Sequence, residues 1–195
     1  MTQLVTGFTV SKLIQHLKSK KINLADALDD TPCLVFRPIT GNQSPIYNSG
    51  NLGQPISNVF KLSETDALTP DKAAAHQYLN KQAVIAPLWK SDRNSFKEVI
   101  SIGRSNSCDI RISSPQVSKI HALFTQDAET GIWSISDNRS TNSTRVNNIP
   151  LEGAESFRLE NNAEISFGEL HAIFLTREGL VALCSYVEDM QQSAE

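Results

Sequence analysis

Three short stretches hold the residues whose types and order suit chemistry: Gly103-Arg104-Ser105, Val117-Ser118-Lys119-Ile120-His121-Ala122, and Asp137 through Asn147 (DNRSTNSTRVN). Arg104 offers a planar cation that can grip two oxygens of one anion, which a lysine could match only as a point charge. Ser118 and Thr141 offer hydroxyl donors, Lys119 a second positive charge, and Asn142 a donor and an acceptor in a single amide. Together these groups describe a shallow cradle for an anion with several oxygens.

Ser118, His121 and Asp137 also supply the residue types of a nucleophilic relay. The chain lacks a G-x-S-x-G elbow and an evident oxyanion donor set, however, and Asp137 reads as the end of a strand. No catalytic residue is therefore assigned. His16 and His76 fall on predicted helices and His171 in a predicted strand, with no thiol or carboxylate at ligand spacing, so neither a metal nor another cofactor is expected.

These loops need elements to hold them in place. From Ala83 onward VIAPLW, EVISIG, DIRI, HALFTQ, WSISD, TRV, EISFG and LHAIFLT are short, rich in β-branched and aromatic residues, and separated by polar turns. This predicts a mainly β architecture, a sandwich or barrel. WSISD alternates Trp133 and Ile135 against Ser134 and Ser136, as a strand with one face in a core should. After Thr176, Leu180, Leu183, Cys184 and Val187 recur at helical spacing and predict a closing helix on the sandwich.

The first part of the chain has a different character. Val10, Leu13, Ile14 and Leu17 follow Thr9 at i, i+3, i+4 and i+7, predicting a capped amphipathic helix. A short helix is expected over residues 23–28, a buried strand over 32–37, and a loop over 38–55. Thr69, Pro70 and Asp71 mark the start of another helix ending near Asn80.

The series G-R, S-x-x-H, S-T-N-x-T-x-V-N, in this order on an all-β background, resembles the loop set of forkhead-associated (FHA) domains. PLWKSDRNSFKEVISIGRSNSCDIRIS followed by VSKIHALF is similar to a bacterial FHA subgroup with a helical N-terminal segment. The resemblance implies an FHA-type β-sandwich of short antiparallel strands over 83–176, a helical and irregular N-terminal extension over 1–82, and a C-terminal helix over 177–195. The role of the extension stays open between cover for a sheet edge and a second docking surface.

For function, the resemblance implies recognition of a phosphothreonine peptide, and no enzyme. Arg104, Ser118, Lys119, Thr141 and Asn142 would bind the phosphopeptide, with Asn142 clamping its backbone. Gly103 and His121 would support the site, His121 by tying the ligand loops together and Gly103 by permitting close backbone approach or an unusual φ. The implied partner is a threonine-phosphorylated protein, a Ser/Thr kinase or its substrate, and the implied role is that of an adaptor in kinase signalling. The alternative is a phosphate-independent scaffold for protein–protein interaction. Arg139 and Arg145 flank the third loop, where they could read residues beyond the phosphate, but surface solvation is the commoner fate and they are left outside the core site.

This chain departs from the family pattern where glycine is usual: Ser143 and Asn148 stand at those two turns, and Lys119 stands where arginine is common. If both turns require positive φ, Asn148 tolerates it better than Ser143 does.

The whole-chain properties fit a recognition module. A formal charge of −3 over 195 residues is of the wrong sign for a protein that wraps nucleic acid. The N-terminus carries its lysines after its apolar residues and holds no run long enough to span a bilayer, so a cytoplasmic protein with no membrane partner is expected. Cys33, Cys108 and Cys184 lie far apart and read as reduced and structural.

Overall fold

The computed structural model describes residues 8–20, 30–36, 83–153 and 155–192. The helices expected over 23–28 and 69–80 and the loop over 38–55 lie outside them, as does His76. Of the side chains in the first helix, those of His16 and Leu17 also lie outside.

Two sheets face each other. The larger has seven strands in the order β1 (Phe8–Thr9), β3 (Val84–Pro87), β2 (Cys33–Phe36), β12 (Leu170–Leu175), β11 (Glu164–Phe167), β8 (Thr144–Val146), β9 (Ile149–Pro150). The smaller has five, in the order β10 (Ser156–Arg158), β7 (Trp133–Asp137), β6 (Ala122–Gln126), β4 (Val99–Gly103), β5 (Ile110–Arg111). Pairing is antiparallel throughout except between β4 and β5. The mainly β sandwich expected from the spacing of short strands is thus the architecture found.

Between the sheets lies a core that includes Leu34, Phe36, Ile102, Phe124, Ile135, Ile165, Phe167 and Phe174. A second core lies on the outer face of the larger sheet. There Cys33, Val35, Ile85, Ile173 and Leu175 meet helices α1 (Val10–Lys20) and α2 (Arg177–Gln192) through Val10, Leu13, Ile14, Leu180, Leu183, Cys184 and Val187. Three layers result. They explain why CLVF shows no alternation: Leu34 and Phe36 enter one core and Cys33 and Val35 the other, so all four positions are buried.

β2 is not a cover strand at an edge. It pairs with β3 on one side (Val35↔Ile85) and β12 on the other (Val35↔Ile173), so these four residues from the N-terminal stretch form an interior strand of the sandwich. β1 pairs outside β3. Both helices begin on side-chain caps: Thr9 Oγ1 accepts the N–H of Lys12 at 3.3 Å, and Thr176 Oγ1 that of Gly179 at 3.4 Å. All three cysteines are buried and reduced. Among the described residues no helix is long and apolar enough to cross a membrane.

Candidate functional site

The three loops singled out by the sequence meet at one end of the sandwich, where β4 ends, β6 begins and β7 ends. The first two are joined by backbone. Arg104 N–H donates to the Ser118 carbonyl at 2.8 Å and Ser105 N–H to the Lys119 carbonyl at 2.9 Å. Gly103 makes this approach possible, because a Cβ there would press into the Lys119 carbonyl and lie 2.9 Å from Ile120 Cα. The side chains of Arg104 and Lys119 are left exposed on either side of the seam.

His121 joins the second loop to the third. Its ring is fully buried, edge-on to Phe167 with centroids 5.6 Å apart. Nδ1 accepts the N–H of Ser118 at 3.1 Å, so in the neutral ring the proton sits on Nε2, which faces the Ser143 carbonyl at 3.3 Å. Burial pushes the imidazole below its ordinary value, against smaller upward effects from the Ser143 carbonyl and the charge of Asp137.

Ser118 and Thr141 come together directly. Ser118 Oγ accepts the Thr141 N–H at 3.0 Å, and the two hydroxyls are 3.4 Å apart. With Ser118 Oγ accepting from the Thr141 backbone and donating to Thr141 Oγ1, it is the Thr141 hydroxyl that keeps its own hydrogen to donate outward.

Asp137 shapes the third loop. Its Oδ1 accepts from Ser140 Oγ at 2.6 Å, Thr144 Oγ1 at 2.6 Å and Thr144 N at 3.0 Å, and its Oδ2 from Ser140 N at 2.8 Å. Burial raises its carboxyl, but these hydrogen bonds outweigh burial and hold it below the ordinary range. Its oxygens serve the loop, Ser118 Oγ serves Thr141, and His121 Nδ1 serves the Ser118 backbone. The three side chains therefore form no nucleophilic relay.

Asn142 is exposed, and its Nδ2 donates to the Gln116 carbonyl at 2.8 Å and to Gln116 Oε1 at 2.9 Å. Both amide hydrogens are thus used within the chain, which leaves Oδ1 to accept from a ligand. Both turns that lack the family's glycine do have left-handed backbone: Ser143 has φ 57° and Asn148 φ 66°.

The sequence reading missed two supporting residues, Gln116 and Asp109. The Asp109 carboxylate is buried below the first loop. It accepts from Ser101 N, Ser91 N, Asn94 Nδ2 and both hydroxyls of Ser91 and Ser101, and pairs with Lys90 Nζ at 2.9 Å. Burial acts to raise its carboxyl, yet the bonds from Ser101, Lys90, Ser91 and Asn94 win and hold it well below the usual carboxylate range. Nothing in the pattern around Asp109 marks it, because its partners lie before and within β4. His171 lies on β12 opposite Ser166. Among the described residues no cluster of His, Cys, Asp and Glu could hold a metal ion.

Comparison with known proteins bears on this geometry. The family model described as FHA domain matches residues 100–168, a narrower span than 83–176. No curated protein matches significantly. Among solved structures, the chain is similar to the MEK1 FHA domain in complex with a HOP1 phosphothreonine peptide, at 20% identity and TM-score 0.39, covering 47% of this chain and 87% of that one. It is similar to the FHA domain of a Chlamydia trachomatis protein at 18% identity and TM-score 0.40, covering 47% and 84%. It is also similar to a Synechocystis sp. protein at 16% identity and TM-score 0.41, covering 75% and 95%. The family model matched over residues 100–168 runs across the G-R, S-x-x-H and S-T-N loops gathered at one end of the sandwich, so this stretch of the chain is an FHA-domain match.

Proposed function

We propose that this protein binds threonine-phosphorylated proteins through Arg104, Ser118, Lys119, Thr141 and Asn142, and serves as an adaptor in Ser/Thr kinase signalling. The observation that carries the reading is the Ser118–Thr141 junction. Ser118 Oγ accepts the Thr141 N–H at 3.0 Å and donates to Thr141 Oγ1 at 3.4 Å, which leaves the Thr141 hydroxyl hydrogen for a ligand, beside the exposed cations Arg104 and Lys119. A phosphoryl group brings nearly two negative charges and three acceptor oxygens, matching two cations and the Thr141 hydroxyl donor. Asn142, its donors held by Gln116, presents Oδ1 to a peptide N–H beside the phosphorylated residue.

Gly103 and His121 support the site in this reading, the first by bringing two loops into contact and the second by bonding the second loop to the third. The role is recognition rather than catalysis, and the setting is the cytoplasm. Within the N-terminal stretch, α1 and β2 act structurally as parts of the layered core.

The test is binding of a degenerate phosphothreonine peptide library, with unphosphorylated and phosphoserine versions alongside, to wild type and to Arg104→Ala. Phosphothreonine-dependent binding that disappears in the variant is the expected result. Binding indifferent to phosphate and to Arg104 overturns the reading in favour of a phosphate-independent scaffold.

A further inference from the structure

Among the described residues, five other than glycine have left-handed backbone: Arg139 (φ 52°), Ser143 (φ 57°), Asn147 (φ 51°), Asn148 (φ 66°) and Asn162 (φ 69°). The three asparagines belong to a type that tolerates this conformation. Ser143 makes use of it, since its carbonyl accepts the Gly168 N–H at 3.1 Å and faces His121 Nε2. Arg139 differs from all four. It is a long side chain in a backbone that disfavours side chains, it is exposed, and no salt bridge of its guanidinium is found among the described residues.

The loop imposes the conformation. Asn138 N–H donates to the His121 carbonyl at 2.9 Å and Asn138 Nδ2 to the Ile120 carbonyl at 3.2 Å, while Ser140 is bound to Asp137. A glycine at 139 would meet the same demand with less strain. What arginine adds is a charge, and the nearest carboxylate in its own loop, Asp137, is buried and taken by Ser140 and Thr144. Strained backbone that the surrounding structure holds in place clusters at sites that meet a ligand.

Position says which part of the ligand. The third loop runs along the second with Asn142 beside Gln116, Thr141 beside Ser118, and Asn138 beside Ile120. Arg139 therefore sits on the Ile120 side of the Ser118–Thr141 junction, and Asn142 on the other. We infer that Arg139 is a specificity-determining residue that pairs with a carboxylate side chain on the arm of the phosphothreonine peptide leaving the site away from Asn142. The inference rests on the phosphothreonine reading and adds an acidic flank to it.

The test uses the full chain and phosphothreonine peptides with aspartate, alanine or lysine placed in turn at each position on either side of the phosphothreonine. Wild type should favour aspartate over alanine by about threefold on one flank only, as a solvent-exposed ion pair would, and the preference should shrink in high salt. Arg139→Gly should level the aspartate and alanine peptides and raise the melting temperature by relieving the backbone. Arg139→Glu should reverse the preference toward lysine. Equal aspartate preference in wild type, Arg139→Gly and Arg139→Glu, or none in wild type, overturns the inference. Arg104→Ala separates the two failures: phosphate-dependent binding that is lost in Arg104→Ala but blind to flanking charge removes only the role of Arg139, whereas binding indifferent to phosphate removes the reader itself.

Discussion

Nδ1 of His121 accepts the backbone N–H of Ser118 at 3.1 Å, and this single bond decides both the tautomer of the ring and the charge it can carry. A protonated ring would turn a second N–H against that of Ser118 inside the protein.

Stability should accordingly depend on pH through His121. Its folded value lies below the ordinary 6.5, so the neutral ring's contribution is complete above 6.5 and is lost as pH falls through the depressed folded value. Denaturant midpoints measured across this range should decline toward acid in wild type. In His121→Gln this component should vanish, with an overall loss of about 1–3 kcal/mol from the broken ties. A wild-type profile identical in shape to that of the variant would refute it.

Gly103→Ala should damage the site without touching a ligand-facing side chain. Its Cβ meets backbone at Lys119 and Ile120, which cannot rotate away. A loss of about 1–3 kcal/mol in thermal or chemical denaturation is expected, together with weaker phosphopeptide binding. Unchanged stability would show that the two loops can separate freely.

Ser143→Gly should instead stabilise the protein. Residue 143 has φ 57°, which costs a side-chain-bearing residue about 1–2 kcal/mol, while the glycine's freedom in the unfolded chain returns part of that. A net gain of up to about 1 kcal/mol is expected from chemical denaturation. Asn148→Gly should gain less, because asparagine already accepts φ 66° there. A destabilised Ser143→Gly would contradict the argument.

Asp109→Asn should cost about 3 kcal/mol or more, since the Lys90 ammonium loses its buried counter-charge and several donors lose part of their acceptor. Asp109 is held below the ordinary 3.8, so the stability it supplies is present above that value and lost as pH falls through the lower folded value. The acid limb of the wild-type stability profile should be correspondingly shallower in the variant.

A fragment beginning at Ala83 should fail to fold as the full chain does. It keeps every proposed ligand-facing residue but lacks Cys33–Phe36, leaving β3 and β12 with unpaired edges and the core without Leu34 and Phe36. Size-exclusion and heteronuclear spectra should report aggregation or disorder. A well-dispersed monomer would mean that β3 and β12 can close on each other.

What the sequence made legible was local. Thr9 before Val10, Leu13 and Ile14 announced α1, the spacing of Leu180, Leu183, Cys184 and Val187 announced α2, and the loop residues fell in their order because each loop writes its own turn chemistry. Three things escaped for physical reasons. The apolar run at Cys33–Phe36 says that both faces are buried but not which strands lie beside it. Asp109 collects partners that share no spacing with it. Arg139 carries no sign of its left-handed backbone, since only glycine and asparagine advertise one.

The place of β2 also sets an order of events in time. Its partners on one side, Ala172 to Leu175, lie near the far end of the chain, and those on the other begin at Val84. A pairing between such distant segments is slow to find. During synthesis, residues 33–36 must wait until Ala172 to Leu175 have emerged before the strand can be locked on both sides. Until then Leu34 and Phe36 have no core to enter, and the loops at the end of the sandwich are carried by an open sheet, so a segment made late completes a strand made early.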